Sequence, residues 1–178
     1  MQSESVLIAG VYLLKPIPFK DQRGTLVKVY HQASFNHWGL RLQCAELFYS
    51  RSPQNVIRGF HFQQPPYSLE KLIWVTEGEI LDVVLDLRTA SPTYGQCFAT
   101  RLAQENCHGL YIPQGVAHAF GVLSEFATVL YATSQIYSAP HDAGIRWDST
   151  AFRWPIENPI LSDKDRQWPR LDQFDSPF

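Results

Sequence analysis

The sequence is poor in charge and has no surplus of basic residues. Only 18% of its 178 residues are charged, and 15 Lys and Arg against 17 Asp and Glu give a formal net charge of −2. A general nucleic-acid-binding protein usually carries a basic surplus that neutralises phosphates, so that class is excluded, and only local basic pockets for a small anion remain. With 45% hydrophobic and 13% aromatic residues, the composition is typical of a folded domain rather than a disordered chain.

The sequence also lacks long apolar runs and paired cysteines. Its longest uncharged apolar run, Val6–Leu14, is far shorter than the ~20 residues needed to cross a bilayer, and no basic segment precedes it as in a signal peptide. The cysteines Cys44, Cys97 and Cys107 have no CxxC spacing and cannot all pair. We therefore expect free thiols and a cytoplasmic protein without membrane association.

What is present is a series of short segments rich in aliphatic and aromatic residues, separated by turn signals. They indicate an all-β sandwich or barrel in a single domain spanning residues 1–178, because no helical period intervenes. One short helix is predicted over Ser34–Leu40 with Ser34 as its N-cap, and a loop with a helical turn is predicted from Trp154 onward. The predicted strands are Val6–Leu14, Leu26–Tyr30, Leu42–Tyr49, Leu72–Thr76, Ile80–Leu87, Gln96–Leu102, Gly109–Ile112, Ala119–Leu123 and Thr128–Tyr137.

Two segments carry potential chemistry, Val56–Gln63 and Gly109–Phe120. On a regular strand, His61 and Gln63 project to one face, and Arg58 projects to the other. The second segment has a proline–glycine turn that delivers His118 to the start of the next strand. Together they resemble the two motifs of the cupin jelly roll, which implies a jelly-roll sandwich or barrel with short peripheral helices.

Metal-binding cupins usually supply two histidines and a carboxylate from the first motif and a third histidine from the second. Here the second histidine of the pair is replaced by Gln63, and neither Glu70 nor Glu77 falls at the position of the family's carboxylate. Two imidazoles without an anionic ligand are a poor site for a catalytic divalent ion. We therefore expect no metal and no cofactor.

A more specific resemblance covers residues 6–172, nearly the whole chain: the sequence is similar to the dTDP-4-dehydrorhamnose 3,5-epimerase family. The arginine–glycine–hydrophobic–histidine–aromatic–glutamine signature of that family matches Arg58–Gln63. Further matches follow in order along the chain: Asp21–Gly24, Lys71–Leu72, Gly78–Glu79, Asp82, Asp86–Arg88, Ser91–Gly95, Ile112–His118, Leu130–Tyr131 and Pro159–Asp165.

The resemblance implies an isomerase without a cofactor, in the biosynthesis of deoxysugars for surface polysaccharide (lipopolysaccharide) or glycosylated metabolites. It would invert C3, C5 or both on a nucleotide-linked 4-keto-6-deoxyhexose, through an enolate. His61 matches the proton acceptor, and Asp165 matches the carboxylate that fixes its tautomer. Lys71 matches the cation beside the enolate oxygen, and Tyr131 matches the proton donor on the opposite face.

The same resemblance implies a substrate-binding set and a homodimer in which the N-terminal strands cross to the partner. An apolar edge at Val6–Leu14, free of charge until Lys15, is consistent with pairing to another chain. The expected partners are the nucleotide sugar and a second copy of the chain. The implied substrate-binding residues are Arg23, Lys28, Arg58, Gln63, His118, Asp142 and Lys164.

Departures from the family pattern concern the positions implied to hold the nucleotide, among them Leu26, Lys28, Glu46–Phe48 and Ile136. A lysine has no acceptor for the N3–H of thymine, whereas cytosine offers acceptors that an ammonium satisfies. The hypothesis is a weakened thymidine preference, with a cytidine-linked sugar as the leading alternative. Two other functions stay open: a 3,4-ketoisomerase of the same fold and a non-catalytic sugar-binding cupin.

Overall fold

Two antiparallel sheets form a sandwich in the computed structural model, which describes residues 1–40 and 42–178. The strands are β1 (Gln2–Ser5), β2 (Tyr12–Lys15), β3 (Phe19–Asp21), β4 (Gly24–Leu26), β5 (Glu46–Pro53), β6 (Ile57–Gln63), β7 (Lys71–Glu77), β8 (Glu79–Asp86), β9 (Cys97–Ala103), β10 (Gly109–Ile112), β11 (Val116–Val122), β12 (Phe126–Thr133) and β13 (Asp142–Gly144). One sheet has six strands in the order β1-β2-β10-β7-β12-β5, the other has five in the order β13-β6-β11-β8-β9, and β3 and β4 form a separate two-stranded hairpin.

The helices are short and peripheral. They are α1 (Gln32–His37) and α2 (Asp163–Gln167), with 3-10 turns at Ala139–His141 and Leu171–Gln173. In the described part of the chain, no helix is long and apolar enough to cross a membrane. The all-β fold with short peripheral helices confirms the predicted class.

Because side chains alternate along the strands, the polar residues of the site point into the space between the two sheets. In β8, Asp82 lies on the same face as Ile80 and Val84, and these two pack in the central core. In β12, Tyr131 shares its face with Val129 in that core. Asp82 and Tyr131 therefore lie buried in the apolar layer between the sheets.

Other side chains also cover the outer faces of both sheets. Because strands buried on both faces need apolar residues on both, their sequences form continuous apolar runs. Phe35 of α1 packs with Trp74 over the six-stranded sheet. Phe62 of the five-stranded sheet meets Phe174 and Phe178 of the C-terminal tail edge-on, with ring centroids 5.5 and 5.8 Å apart. Each such aromatic pair contributes about 0.5–1.5 kcal/mol beyond burial.

Several predicted element boundaries are wrong for local reasons. Val6–Leu14 is not one strand: β1 has already ended at Ser5, a turn closed by the bond from the Val11 amide to the Ile8 carbonyl follows, and only Tyr12–Leu14 lie in β2. Of the predicted strand Leu26–Tyr30 only Leu26 lies in a strand, as the last residue of β4, and the segment predicted to run to Tyr137 ends at Thr133, where pairing with its neighbour stops.

The predicted helix over Ser34–Leu40 also begins and ends earlier than expected. It spans Gln32–His37, with His31 rather than Ser34 as the N-cap residue. Ser34 lies within the first turn, and its hydroxyl hydrogen-bonds the Nδ1 atom of His31 at 2.9 Å. Because that hydroxyl is bonded to a side chain, it satisfies none of the free amides at the start of the helix.

A bulge in β6 overturns the predicted facing of Arg58. His118 of β11 pairs with His61 and Phe120 pairs with Arg58, so that Gly59 and Phe60 together oppose one residue of β11. An extra residue in one strand reverses the alternation beyond it. Arg58 and His61 therefore line the same cavity, contrary to the prediction that they lie on opposite faces.

Glycine is required at the bulge because the neighbouring strand is too close for a side chain. A Cβ on Gly59, whose φ is +115°, would lie 2.4 Å from the carbonyl oxygen of His118. Gly24 in the β3–β4 turn has nearly the same φ, +118°, but open space around it. We expect Gly59→Ala to lose about 1–3 kcal/mol more unfolding free energy than Gly24→Ala, measured by urea denaturation, because only Gly59 adds overpacking to the shared backbone strain. Equal losses would contradict the close approach of the strands.

Candidate active site

A cavity of about 560 Å³ opens between the two sheets and collects most of the predicted site residues. His61, Lys71, Tyr131 and Asp165, the predicted catalytic set, all line it. The remaining lining residues come from both sheets, from two loops and from the segment around α2; they are Glu46, Phe48, Ser50, Arg58, Phe62, Gln63, Leu69, His118, Phe120, Thr133, Tyr137, Asp142, Ser162 and Lys164.

His61 and Asp165 form a hydrogen-bonded pair across 104 positions of the sequence. Asp165 is buried in α2, where the Ser162 hydroxyl caps the helix by accepting from the Asp165 amide. Burial alone would raise the pKa of Asp165, but the hydrogen bond and charge of His61 reverse this, so the pKa lies below its usual value. An ionised carboxylate only accepts, so it fixes the proton on Nε2 of His61 and leaves Nδ1 free to act as a base.

Lys71 connects the two sheets at the centre of the cavity. From β7 of the six-stranded sheet, its Nζ donates to the carbonyl oxygen of His61 in the other sheet at 3.0 Å. Burial lowers the pKa of Lys71 to about 8, and the charges of Asp142 and Asp82 oppose that shift. At neutral pH the ammonium is charged and poorly solvated, which makes it an effective partner for a developing anion.

A second histidine–carboxylate pair lies deeper in the cavity. The Nε2 of His118 is 2.8 Å from the Oδ2 of Asp82, and both residues are buried. Burial lowers the pKa of His118, although the Asp82 carboxylate opposes this. The other oxygen of Asp82, Oδ1, has no hydrogen-bond partner among the described residues. His118 thus contributes a mostly neutral ring, oriented by Asp82, to the wall of the cavity.

Tyr131 faces these histidines from β12 of the opposite sheet. Its ring stacks on Phe48 with centroids 4.8 Å apart and an interplanar angle of 12°, and it meets His118 edge-on at 6.4 Å. Its hydroxyl lies 3.2 Å from the Ser50 hydroxyl. Burial raises the pKa of Tyr131, outweighing the opposing effects of Ser50 and Arg58, so the phenol stays protonated at neutral pH.

The remaining predicted residues in the cavity are held by polar contacts of their own. Lys164 pairs with Asp142, which also accepts from the Tyr137 hydroxyl at 3.2 Å. Gln63 lines the wall, but its amide nitrogen donates to the Tyr67 and Ile136 carbonyls and its oxygen accepts from a backbone amide. Gln63 therefore fixes the loops at the rim with its polar atoms already engaged.

Two predicted substrate-binding residues lie away from this cavity within the chain. The Arg23 side chain is 85% exposed and pairs with Asp21 at the tip of the β3–β4 hairpin. Lys28 is exposed and borders a separate, mainly apolar cavity beside Phe19 and Leu26. Neither residue reaches the cavity of its own chain.

Sequence reasoning missed three residues that the structure places at the site. Asp82, Phe48 and Ser50 contact His118 or Tyr131, whereas the sequence named Asp82 only as a family match, Phe48 only as a departure among the nucleotide positions, and Ser50 not at all. Phe48 and Ser50 lie two positions apart on β5 beside β12, so cross-strand pairing with Tyr131 would have indicated them had the register been known. Asp82 was identifiable as a charged residue between apolar positions in a buried strand.

The arrangement defines a class of enzyme. A jelly-roll sandwich encloses an imidazole hydrogen-bonded to a carboxylate, a buried ammonium and a protonated phenol that faces the imidazole from the other sheet. Such a set serves proton abstraction next to a carbonyl, with an anion stabilised between the two proton-transfer groups.

Comparison with known proteins gives the family. The profile described as "dTDP-4-dehydrorhamnose 3,5-epimerase" matches residues 5–173. An enzyme of that description from Salmonella typhimurium is 39% identical over 170 residues, which cover 93% of each chain. The chain belongs to the dTDP-4-dehydrorhamnose 3,5-epimerase family of isomerases, and this confirms the resemblance found in the sequence.

Solved structures agree over nearly the whole length. That of the Bacillus anthracis dTDP-4-dehydrorhamnose 3,5-epimerase with TDP and pyrophosphate bound has a TM-score of 0.93 and 37% identity, covering 96% of this chain and 99% of that one. A 4-keto-6-deoxy sugar epimerase from the novobiocin gene cluster of Streptomyces spheroides has a TM-score of 0.92 and 32% identity, covering 97% and 88%. The cupin-type fold is thereby confirmed.

The electrostatics of Lys71 give a direct test of the site. Competitive acetylation across a pH series, followed by mass spectrometry of the Lys71 peptide, should show a midpoint near pH 8. Asp142→Asn should lower that midpoint further, because the Asp142 charge opposes the shift. A midpoint at the ordinary lysine value of about 10.4 would contradict the burial described for this ammonium.

Proposed function

We propose that the protein is an epimerase that inverts a carbon next to the ketone of a dTDP-linked 4-keto-6-deoxyhexose in deoxysugar biosynthesis. The observation that carries this proposal is the placement of His61 and Tyr131, which enter one cavity from opposite sheets. Inversion requires that a proton leave one face of the carbon and another arrive at the opposite face, so base and acid must flank the sugar ring.

The proposed reaction has two proton transfers. Nδ1 of His61 removes the proton from the carbon beside the ketone, and the C–H electron pair moves into an enolate. The Lys71 ammonium stabilises the enolate oxygen, and Tyr131 then donates its proton to the opposite face. Each positioned proton-transfer group contributes ~10²–10⁴ in rate, and an electrostatic donor contributes a comparable factor.

Binding of the nucleotide is proposed for the cationic side of the cavity. The Nε of Arg58 donates to the Ser52 hydroxyl at 3.0 Å, which fixes the guanidinium group in the cavity wall, where we propose that it binds a phosphate. Thymidine is the base we propose, since the related enzymes are named for dTDP sugars. The cytidine hypothesis depends on Lys28, which lies outside the cavity of its own chain and would act on a nucleotide only from a second subunit.

Deuterium incorporation from heavy water tests the division of labour between the two groups. With a dTDP-linked 4-keto-6-deoxyhexose, the wild type should invert the sugar and incorporate solvent deuterium at the inverted carbon. His61→Ala should lose both activities. Tyr131→Phe should still exchange the proton through His61 but return it to the same face, so that exchange persists without inversion. NMR spectroscopy of the sugar measures both quantities.

Controls and alternatives are part of the same experiment. His37→Ala and Tyr94→Phe, which alter residues outside the cavity, should behave as wild type. Inversion by Tyr131→Phe at the wild-type rate would refute the assignment of the acid. A wild type that moves the carbonyl between C3 and C4 would instead be a ketoisomerase, and one that leaves the sugar unlabelled would be a binding protein.

We also propose a homodimer in which Arg23 and Lys28 enter the partner's cavity. Two apolar surfaces are exposed on the single chain: Ile17, Phe19 and Leu26 around the hairpin, and Leu47 and Tyr49 on the outer face of β5. Because β5 is an edge strand, its free backbone groups can pair with another chain. Such docking would cover both surfaces and bring the distant cations to a nucleotide.

Subunit mixing tests this exchange. Arg23→Ala and His61→Ala homodimers should each be weakly active or inactive. If Arg23 serves the partner's cavity, subunits mixed and reassociated at random should recover roughly one quarter of wild-type activity, because half of the dimers are mixed and each holds one intact site. Recovery no greater than the sum of the separate homodimers would show that Arg23 serves its own chain, or that the protein is not a dimer.

A further inference from the structure

The proposed reaction leaves both proton-transfer groups in the wrong state for a second turnover. His61 ends protonated and Tyr131 ends as a phenolate. His61 is partly exposed, with 35% of its side chain accessible, so it exchanges directly with water. Tyr131 is buried, with 8% of its surface accessible. Its proton must return by some route before the enzyme can act again.

We propose that Ser50 is the relay that returns a proton to Tyr131 after each turnover; this inference rests on the proposed function. Within residues 1–40 and 42–178, the hydrogen bond of the Tyr131 hydroxyl is to Ser50, at 3.2 Å. Ser50 is half-buried and lies on β5, the edge strand of its sheet. A serine hydroxyl donates and accepts at once, as a relay must.

The packing around Tyr131 favours a relay over a movement of its ring. Phe48 stacks on one face of its ring and His118 contacts it edge-on, so the ring cannot swing toward solvent without breaking both contacts. Because burial raises the pKa of Tyr131, its phenolate is strongly basic and draws a proton from the nearest donor. That donor is Ser50.

The proton balance closes with water as the co-reactant. After product leaves, the Ser50 O–H bond breaks as its proton passes to the phenolate oxygen, and Ser50 takes a proton from a water molecule in the cavity. The hydroxide so formed is neutralised by the proton that His61 releases. Tyr131, Ser50 and His61 return to their starting states, and no net proton is consumed.

The relay predicts a difference between the first turnover and later ones in Ser50→Ala. With enzyme in excess over a dTDP-linked 4-keto-6-deoxyhexose, the first inversion should proceed within about twofold of wild type, since Tyr131 starts protonated. Under multiple turnover, kcat should fall at least about tenfold, and a burst of one product per site should appear, because reprotonation becomes limiting. Ser50→Thr keeps the hydroxyl and should restore wild-type kcat without a burst.

Ser5→Ala, at an exposed position on the other edge strand of the same sheet, is the matched control and should have no effect. An unchanged kcat in Ser50→Ala would refute the relay. Equal losses in single and multiple turnover would also refute it, because Ser50 would then only position Tyr131 for the chemical step. A wild type that neither inverts nor exchanges the substrate would instead refute the proposed function.

Discussion

The hydrogen bond between His61 and Asp165 is the contact on which the rest of the site depends. It joins a strand of the five-stranded sheet to a helix of only five residues near the C-terminus. That helix is held in place by contacts on both sides of it. The backbone bridge between Val56 and Ile160 precedes it, and the packing of Phe174 on Phe62 follows.

Burial between two apolar sheets sets the protonation states of the site. Lys71 and His118 have lowered pKa values, and Tyr131 has a raised one, so desolvation drives all three toward their neutral forms. Only Asp165 among these groups is driven toward its charged form, because its hydrogen bonds outweigh burial. The cavity therefore combines a fixed anion, an imidazole and a protonated phenol, which is the set that stepwise proton transfer requires.

The alternation of side chains along a strand predicted part of the site, and the prediction failed where the backbone is not a regular strand. The shared facing of His61 and Gln63 into the cavity follows from alternation along β6. The facing of Arg58 does not, because the bulge in β6 arises from the fit of that strand to β11, which no local pattern encodes. Asp165 could be assigned only by resemblance, since a carboxylate in a charged run carries no periodic signal.

Residues that act through contacts with another element were the hardest to predict. Phe48 and Ser50 depend on the register between β5 and β12, which the sequence does not specify. Arg23 and Lys28 lie on or beside a hairpin whose strands are exposed, and the role proposed for them requires a second subunit. The family resemblance implied a function for the latter pair that the single chain alone does not provide.

The proposed function places a sugar ring between a base on one sheet, His61, and an acid on the other, Tyr131. A crystal structure of Tyr131→Phe with a dTDP-linked 4-keto-6-deoxyhexose bound tests this most directly. The account predicts the ketone oxygen beside Lys71, with Nδ1 of His61 and the ring edge of residue 131 on opposite faces of the carbon next to the ketone. A sugar bound with both groups on the same face, or outside this cavity, would contradict the account.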